Sequence, residues 1–325
     1  MSIQESTPRP QAHRRWLALS ISLVLTAVTL YFVFRGIDRE VFERLLARQD
    51  RGLLVVAAFF ILLQIFFGAE RWRAVLSALT HGDAPPALTV QAVFYASTFF
   101  NCLPLGTVGG DVARIWLARR FMLSVRQLVL SVLVDRILAV GALVGVAALT
   151  LPKVAQPLAP TIWFGSAVIL LCGATAFLLL QPIEHILGRW QNLRFISVVL
   201  RTMQELRYIM QGGGLLGFLF AMLSAVCGVL VAFCIARSLN INVGPIAIAA
   251  VISIATLVAA LPISFAGWGV REVSVVALLA MLGVDREPAL AMSVEIGLLG
   301  MLMNLLGGVV WLVIRQQPEI ALTQK

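Results

Sequence analysis

Apolar runs separated by short charged stretches recur along the whole chain, over residues 16–34, 53–68, 88–103, 128–151, 161–181, 215–236, 245–261, 273–283 and 289–314. A helix crosses the hydrocarbon core with about 20 such residues, each rising about 1.5 Å. The chain is 60% hydrophobic and 13% charged, against roughly 45–50% and 25% in soluble domains. These features require an all-α polytopic membrane protein with one membrane domain over residues 16–314, between tails at 1–15 and 315–325.

Three runs, 88–103, 245–261 and 273–283, are too short to span comfortably, and they flank two breaks. The first is Leu103-Pro104-Leu105-Gly106-Thr107-Val108-Gly109-Gly110-Asp111-Val112-Ala113-Arg114, within 101–114. The second, over 261–272, is Leu261-Pro262-Ile263-Ser264-Phe265-Ala266-Gly267-Trp268-Gly269-Val270-Arg271-Glu272. Each begins with Leu-Pro, has glycine five residues after the proline, and then carries opposite charges. Proline removes a backbone donor and glycine weakens helix interiors, so the backbone opens in both places. Opened backbone at membrane depth lines a cavity or packs on protein. Paired short, interrupted segments in two halves point to an inverted repeat around a central site.

Charge placement supports re-entrant hairpins at both breaks. With Arg9, Arg14 and Arg15 inside, Arg71 and Arg73 return inside after two spans. If 88–120 dips in and returns, Arg119, Arg120, Arg126, Arg189, Arg194, Arg201 and Arg207 also stay inside, as the positive-inside rule favours. The second hairpin then enters from the outside and Arg315 ends inside. The expectation is about six full spans plus two opposed re-entrant broken-helix hairpins, with both termini cytoplasmic. Residues 35–52, rich in both charges, read as an interfacial helix. The amphipathic segment 184–210 reads either as a surface helix on anionic lipid or as a solvated connector.

Ionisable groups inside spans are costly and mark a partner or a task. Asp111 and Arg114 are three apart on one helical face, Arg271 and Glu272 follow the second break, and Asp135 with Arg136 lies two turns into 128–151. Arginine grips a phosphate through two donors, and helix starts at the breaks add free amides. The competing reading is that these are structural pairs. Glu295, alone in the last run, relays protons or pairs with Arg271, while simple helix pairing remains open. Asn101 either caps opened backbone or contacts substrate, and Glu70-Arg71 reads as a marker of the membrane surface. Gly141 and Gly145 form a small-xxx-small pair. Cys102, Cys172, Cys227 and Cys234 lack metal-site or redox spacing. No nucleotide-cradling loop, two-histidine zinc helix or serine elbow is present, which argues against an enzyme and against a resident cofactor. The +9 charge is scattered between runs, so anionic lipid is the expected partner and nucleic acid is not.

At Leu103-Pro104 with Gly109, Gly110, Asp111 and Arg114, at Asp135-Arg136, and at Pro262 with Gly267, Gly269, Arg271, Glu272 and Gly283-Val284, the chain resembles the lysylphosphatidylglycerol synthase transmembrane-region (flippase-like) family. The resemblance implies a bacterial inner-membrane protein handling a phospholipid, a polyprenyl-linked lipid or a hopanoid. The expected substrate site comprises Pro104, Gly109, Gly110, Asp111, Arg114, Asp135, Arg136, Pro262, Gly267, Gly269, Arg271 and Glu272 from that pattern, with Asn101 and Glu295 added from their own positions in the apolar runs. Relatives that aminoacylate lipid add a soluble transferase domain, whereas this sequence ends at Lys325; the expectation is a protein that does not aminoacylate by itself. The family pattern also implies a basic residue near Glu295, which is missing here. The leading function is lipid translocation. The alternatives are a membrane subunit scaffolding a separate lipid-modifying enzyme, and an intramembrane enzyme using Asp111, Asp135 or Glu272.

Overall fold

The computed structural model describes residues 40, 47, 49–80, 85–102, 106–121, 123–154, 194–260 and 268–316. The expected spans 16–34 and 161–181, most of the interfacial segment 35–52, residues 184–193, Pro104, Pro262 and Gly267 lie outside that set. Among the described residues every regular element is helical.

Helix α1 (Arg51–Leu79) starts where the Asp50 carboxylate accepts from the Gly52 amide at 2.8 Å, and closes with the Thr80 hydroxyl donating to the Leu76 carbonyl. Two short helices follow, α2 (Ala87–Phe99), extended by a 3₁₀ turn at Phe100–Cys102, and α3 (Gly106–Leu117). They form an antiparallel hairpin. Gly110 packs on Ser97 and Asn101, and one turn later Arg114 lies over the Phe94 ring, so the contact partners run backward along α2 as α3 advances. Long helix α4 (Val125–Val154) comes next.

The second half repeats this order. Helix α5 (Arg194–Ile209) passes through a π turn at Met210–Gly214 into α6 (Leu215–Ser238), followed by short α7 (Pro245–Ala259), short α8 (Val270–Ala280) and long α9 (Arg286–Gln316). Proline at the start of α7 sits where no intrahelical donor is needed. Helix α8 starts at Gly269, whose φ of 86° suits glycine, and the Glu272 carboxylate reaches back to accept from its amide at 2.5 Å.

The halves are related by an internal exchange. Helices α1 and α6 pack against each other and run antiparallel: Gln64 meets Gly228, Phe67 stacks on Phe220, and Ala74 meets Gly213. Helix α2 packs on α9 as its counterpart α7 packs on α4, and each short pair packs on itself. Because the antiparallel α1 and α6 each precede a short helix pair and a long helix, the second half is inverted relative to the first.

Four helical stretches are long and apolar enough to cross a membrane: Arg51–Leu79, Val125–Val154, Leu200–Ser238 and Arg286–Arg315. They match four of the six expected spans. The stretch Leu200–Ser238 joins what the sequence divided into a surface segment and a span. At 39 residues it is about 58 Å long against a core of about 30 Å, so its α5 end projects beyond the apolar layer. There Arg126 pairs with Glu205 at an exposed site. Outward stripes Val55, Phe59, Leu62 and Phe66 on α1, and Val129, Leu133 and Ile137 on α4, form the lipid-facing skin.

Candidate functional site

Gly110 allows α3 to approach α2 closely. A Cβ there would collide with the Asn101 Oδ1 and lie 3.0 Å from the Ser97 carbonyl. The close approach fixes which face of α3 turns inward. Val108, Val112 and Trp116, spaced four apart, point outward, while Arg114 and Leu117 are buried. Asp111 and Arg114 therefore face α4 from one side of α3, as their spacing requires, and ion-pair with each other at 2.9 Å.

A continuous chain of charges results. Arg71 of α1 donates to both Asp135 oxygens, from Nε at 2.6 Å and Nη2 at 3.1 Å. Arg114 Nη1 donates to the same carboxylate at 2.8 Å. Arg136 donates to both Asp111 oxygens, at 3.0 and 2.8 Å. The order is Arg71, Asp135, Arg114, Asp111, Arg136: three cations alternating with two anions, one positive charge in excess. Exposure grades along it. The Asp135 side chain is 1% exposed and that of Arg114 5%, whereas Asp111 reaches 21% and Arg136 40%.

Aromatic faces hold the inner end. The Arg114 guanidinium lies 4.5 Å from the Phe94 ring centroid and 5.4 Å from that of Trp72, a position favourable to a desolvated cation. Trp72 is itself fixed by donating to the Ser131 hydroxyl at 3.1 Å. Arg114 Nε and Asn101 Oδ1 are buried without hydrogen-bond partners among the described residues. Two polar groups at the hairpin thus retain unused capacity, in a setting where burying such a group unpaired costs about 1–3 kcal/mol.

The second hairpin carries a smaller cluster. Arg271 pairs with Glu272 at 2.6 Å and lies 5.0 Å from the Trp268 ring. Ser293 donates to the fully buried Glu272 at 3.3 Å. Gly297 leaves room for the Arg271 guanidinium and the Trp268 ring. The register that sets Leu103-Pro104 on Leu261-Pro262 also sets Arg114 on Glu272 and Asp135 on Ser293. Thus the contact between hairpin and long helix recurs in both halves, as a salt bridge in one and a single longer hydrogen bond in the other.

The structure brings Asn101, Gly110, Asp111, Arg114, Asp135 and Arg136 together, with Gly109 beside them, and groups Gly269, Arg271 and Glu272 separately. No hydrogen bond or ion pair joins the two clusters among the described residues. Glu295 does not reach Arg271; its Oε1 accepts from Gln49, just ahead of α1. Arg71 corrects the surface reading of Glu70-Arg71, because it is buried in the network, while Glu70 pairs with Arg73 and accepts from Gln91. Gly141 and Gly145 face Phe218 and Met222 at ordinary contact distance, and the tight helix approaches fall instead at Gly213 and Gly307.

No curated protein matches the chain. A family model does, over residues 16–308, covering both hairpins and every long helix except the last turns of α9. The chain therefore belongs to the family described as Lysylphosphatidylglycerol synthase TM region, a membrane family with a lipid-related role.

Proposed function

We propose that this protein is a lipid translocase, in which the charge network of the first hairpin takes an anionic headgroup while the acyl chains stay among the lipid-facing stripes. The observation that carries the reading is the alternating chain from Arg71 to Arg136, with its excess positive charge and its half-exposed arginine at the outer end. A phosphate arriving at Arg136 competes with Asp111 for the same donors, and Arg114 Nε offers a further one. Exchange among prearranged partners spares the headgroup a passage through bare hydrocarbon.

In this reading both hairpins are re-entrant. Their helices, α3 of 12 residues and α8 of 11, reach only about 16–18 Å at 1.5 Å per residue, well short of a 30 Å core. Asp135 lies about ten residues into α4, or about 15 Å, near the middle of the apolar layer. The mouth of the first hairpin lies, in this reading, on the cytoplasmic side of a bacterial inner membrane, which the arginines of the 119–126 and 194–207 segments support. The carboxylates Asp111, Asp135 and Glu272 act as arginine partners and not as acids or bases in catalysis.

The test is leaflet redistribution in proteoliposomes, using fluorescent phosphatidylglycerol, its lysyl ester, a polyprenyl phosphate and a hopanoid. Wild type moves at least one of these, and Arg136→Ala slows it by about 10- to 150-fold, the value of one charge-assisted hydrogen bond of about 1.5–3 kcal/mol. No redistribution of any of the four, combined with stable co-purification of a lipid-modifying enzyme, replaces the translocase with a scaffolding subunit.

A further inference from the structure

Four carboxylates packed among the membrane helices have an arginine partner: Glu70 with Arg73, Asp111 with Arg114 and Arg136, Asp135 with Arg71 and Arg114, and Glu272 with Arg271. Glu295 differs. It stands in α9 about nine residues from the helix start. No cation pairs with it among the described residues, and its one hydrogen-bond partner is the neutral amide of Gln49. That amide donates to Oε1, while Oε2 is buried with no partner.

The surroundings offer no hidden counter-charge within the described set. From α8, the nearest charges along α9 are Arg271, opposite Gly297, and Glu272, opposite Ser293, and these two are paired with each other. Beside Gln49, Asp50 is engaged in capping α1 and Arg51 is exposed. Helix α2 and its 3₁₀ extension carry no charged residue, and α6 carries only Arg237, in its last turn.

An anion in such a place has an uncompensated desolvation cost of several kcal/mol, which a proton removes. The geometry points to Glu295 as a proton-binding site through which a transmembrane pH gradient drives the lipid movement proposed above, an inference that rests on that reading. The proton, taken from the more acidic side, bonds to the free Oε2 and converts the carboxylate to a neutral carboxyl group. Oε1 keeps its bond from Gln49. Loss of the same proton toward the opposite side restores the anion, and the lipid itself is chemically unchanged. A proton shifts a conformational equilibrium only through differential affinity for the two states. The arrangement described here, in which Glu295 is half-buried with its Oε2 out of contact with solvent, is the state that favours binding.

Position supplies the link to the hairpin. Ser293 and Gly297, one turn apart on α9, hold Glu272 and the Arg271–Trp268 pair of the second hairpin, and Glu295 lies between them, turned toward the start of α1. A rotation or shift of α9 that exposes Glu295 also moves both hairpin contacts. Among the described residues the polar tie of the second hairpin to its long helix is one 3.3 Å hydrogen bond, where the first has a salt bridge.

Two measurements test the proposal. In lipid nanodiscs, infrared difference spectra across neutral pH should show the carbonyl stretch of a protonated carboxylic acid, absent in Glu295→Gln and retained in the exposed control Asp285→Asn. In proteoliposomes, an imposed pH gradient should bias the leaflet ratio of the transported lipid by up to about tenfold per pH unit for one proton per lipid. Glu295→Gln should lose that bias, while the exposed control Asp285→Asn should keep it. Absence of the band in wild type, which needs no variant to fold, or its persistence in Glu295→Gln, overturns the proton site. Wild-type lipid movement indifferent to the gradient overturns the coupling and leaves the translocase reading intact, whereas no lipid movement under either condition overturns both.

Discussion

Replacing Asp135 by asparagine removes the central anion of the network while preserving its shape. Asp135 is fully buried and receives three guanidinium hydrogen bonds, two from Arg71 and one from Arg114. Without its charge, Arg71 has no ion-pair partner among the described residues, and Arg114 retains only the more exposed Asp111. Removing one partner of a buried pair costs about 3–5 kcal/mol, a large part of the roughly 5–15 kcal/mol that holds a typical domain together. The double variant Arg71→Met, Asp135→Leu removes a cation and an anion together, and Arg114 keeps Asp111. Apolar replacement of buried ion pairs is close to neutral in general, so this double variant should recover most of the loss. Arg136→Ala, at the 40% exposed end, should cost about 1 kcal/mol or less. Reversible unfolding in mixed micelles, followed by circular dichroism against the mole fraction of dodecyl sulfate, gives all three values. An Asp135→Asn protein within about 0.5 kcal/mol of wild type, the ordinary scatter of neutral surface changes, would refute the argument that the network is a buried, mutually dependent unit.

Two backbone-controlled sites give further expectations. Gly269→Ala forces a side chain onto a φ of 86° at the start of α8 and should destabilise by about 1–3 kcal/mol in the same unfolding assay, while Gly300→Ala, where a Cβ meets open space, should not. Gly110→Ala drives a methyl group into Asn101 and the Ser97 carbonyl; it should cost about 1–3 kcal/mol and slow lipid redistribution, because Asp111 and Arg114 are carried on the displaced helix.

The breaks were legible because proline and glycine interrupt apolar runs too short to cross, a property of composition along the chain. The pairing of Asp111 with Arg114 was legible for a similar reason, being local to one helical turn. Arg71 was not, because hydropathy locates the end of the apolar run near Gly68 while α1 continues to Leu79, and only packing shows that residue 71 faces inward. Linear spacing also left Glu295 free to pair with Arg271. The fold gives Arg271 a nearer carboxylate in Glu272 and an aromatic face in Trp268, and it brings Gln49 to Glu295 from 246 residues away. The junction of α5 with α6 was not legible, because three consecutive glycines fall between the amphipathic segment 184–210 and the apolar run 215–236. They form a π turn lying against Ala74 and Ala78 of α1. The recurrence of the Arg114–Asp135 contact as Glu272–Ser293 has little sequence identity to reveal it, because the repeat conserves position and not charge.

Accessibility at the ends of the two hairpins bears most directly on the membrane arrangement behind the proposed transport path. Single cysteines at Leu88, Arg120, Ile246 and Met281, all exposed, in a protein with its native cysteines replaced, can be labelled in sealed, oriented vesicles by an impermeant thiol reagent. Positions 88 and 120 should react from one face and positions 246 and 281 from the other. Labelling of 88 and 120 from opposite faces would make the first helix pair a full crossing and remove the path along which the headgroup is proposed to move.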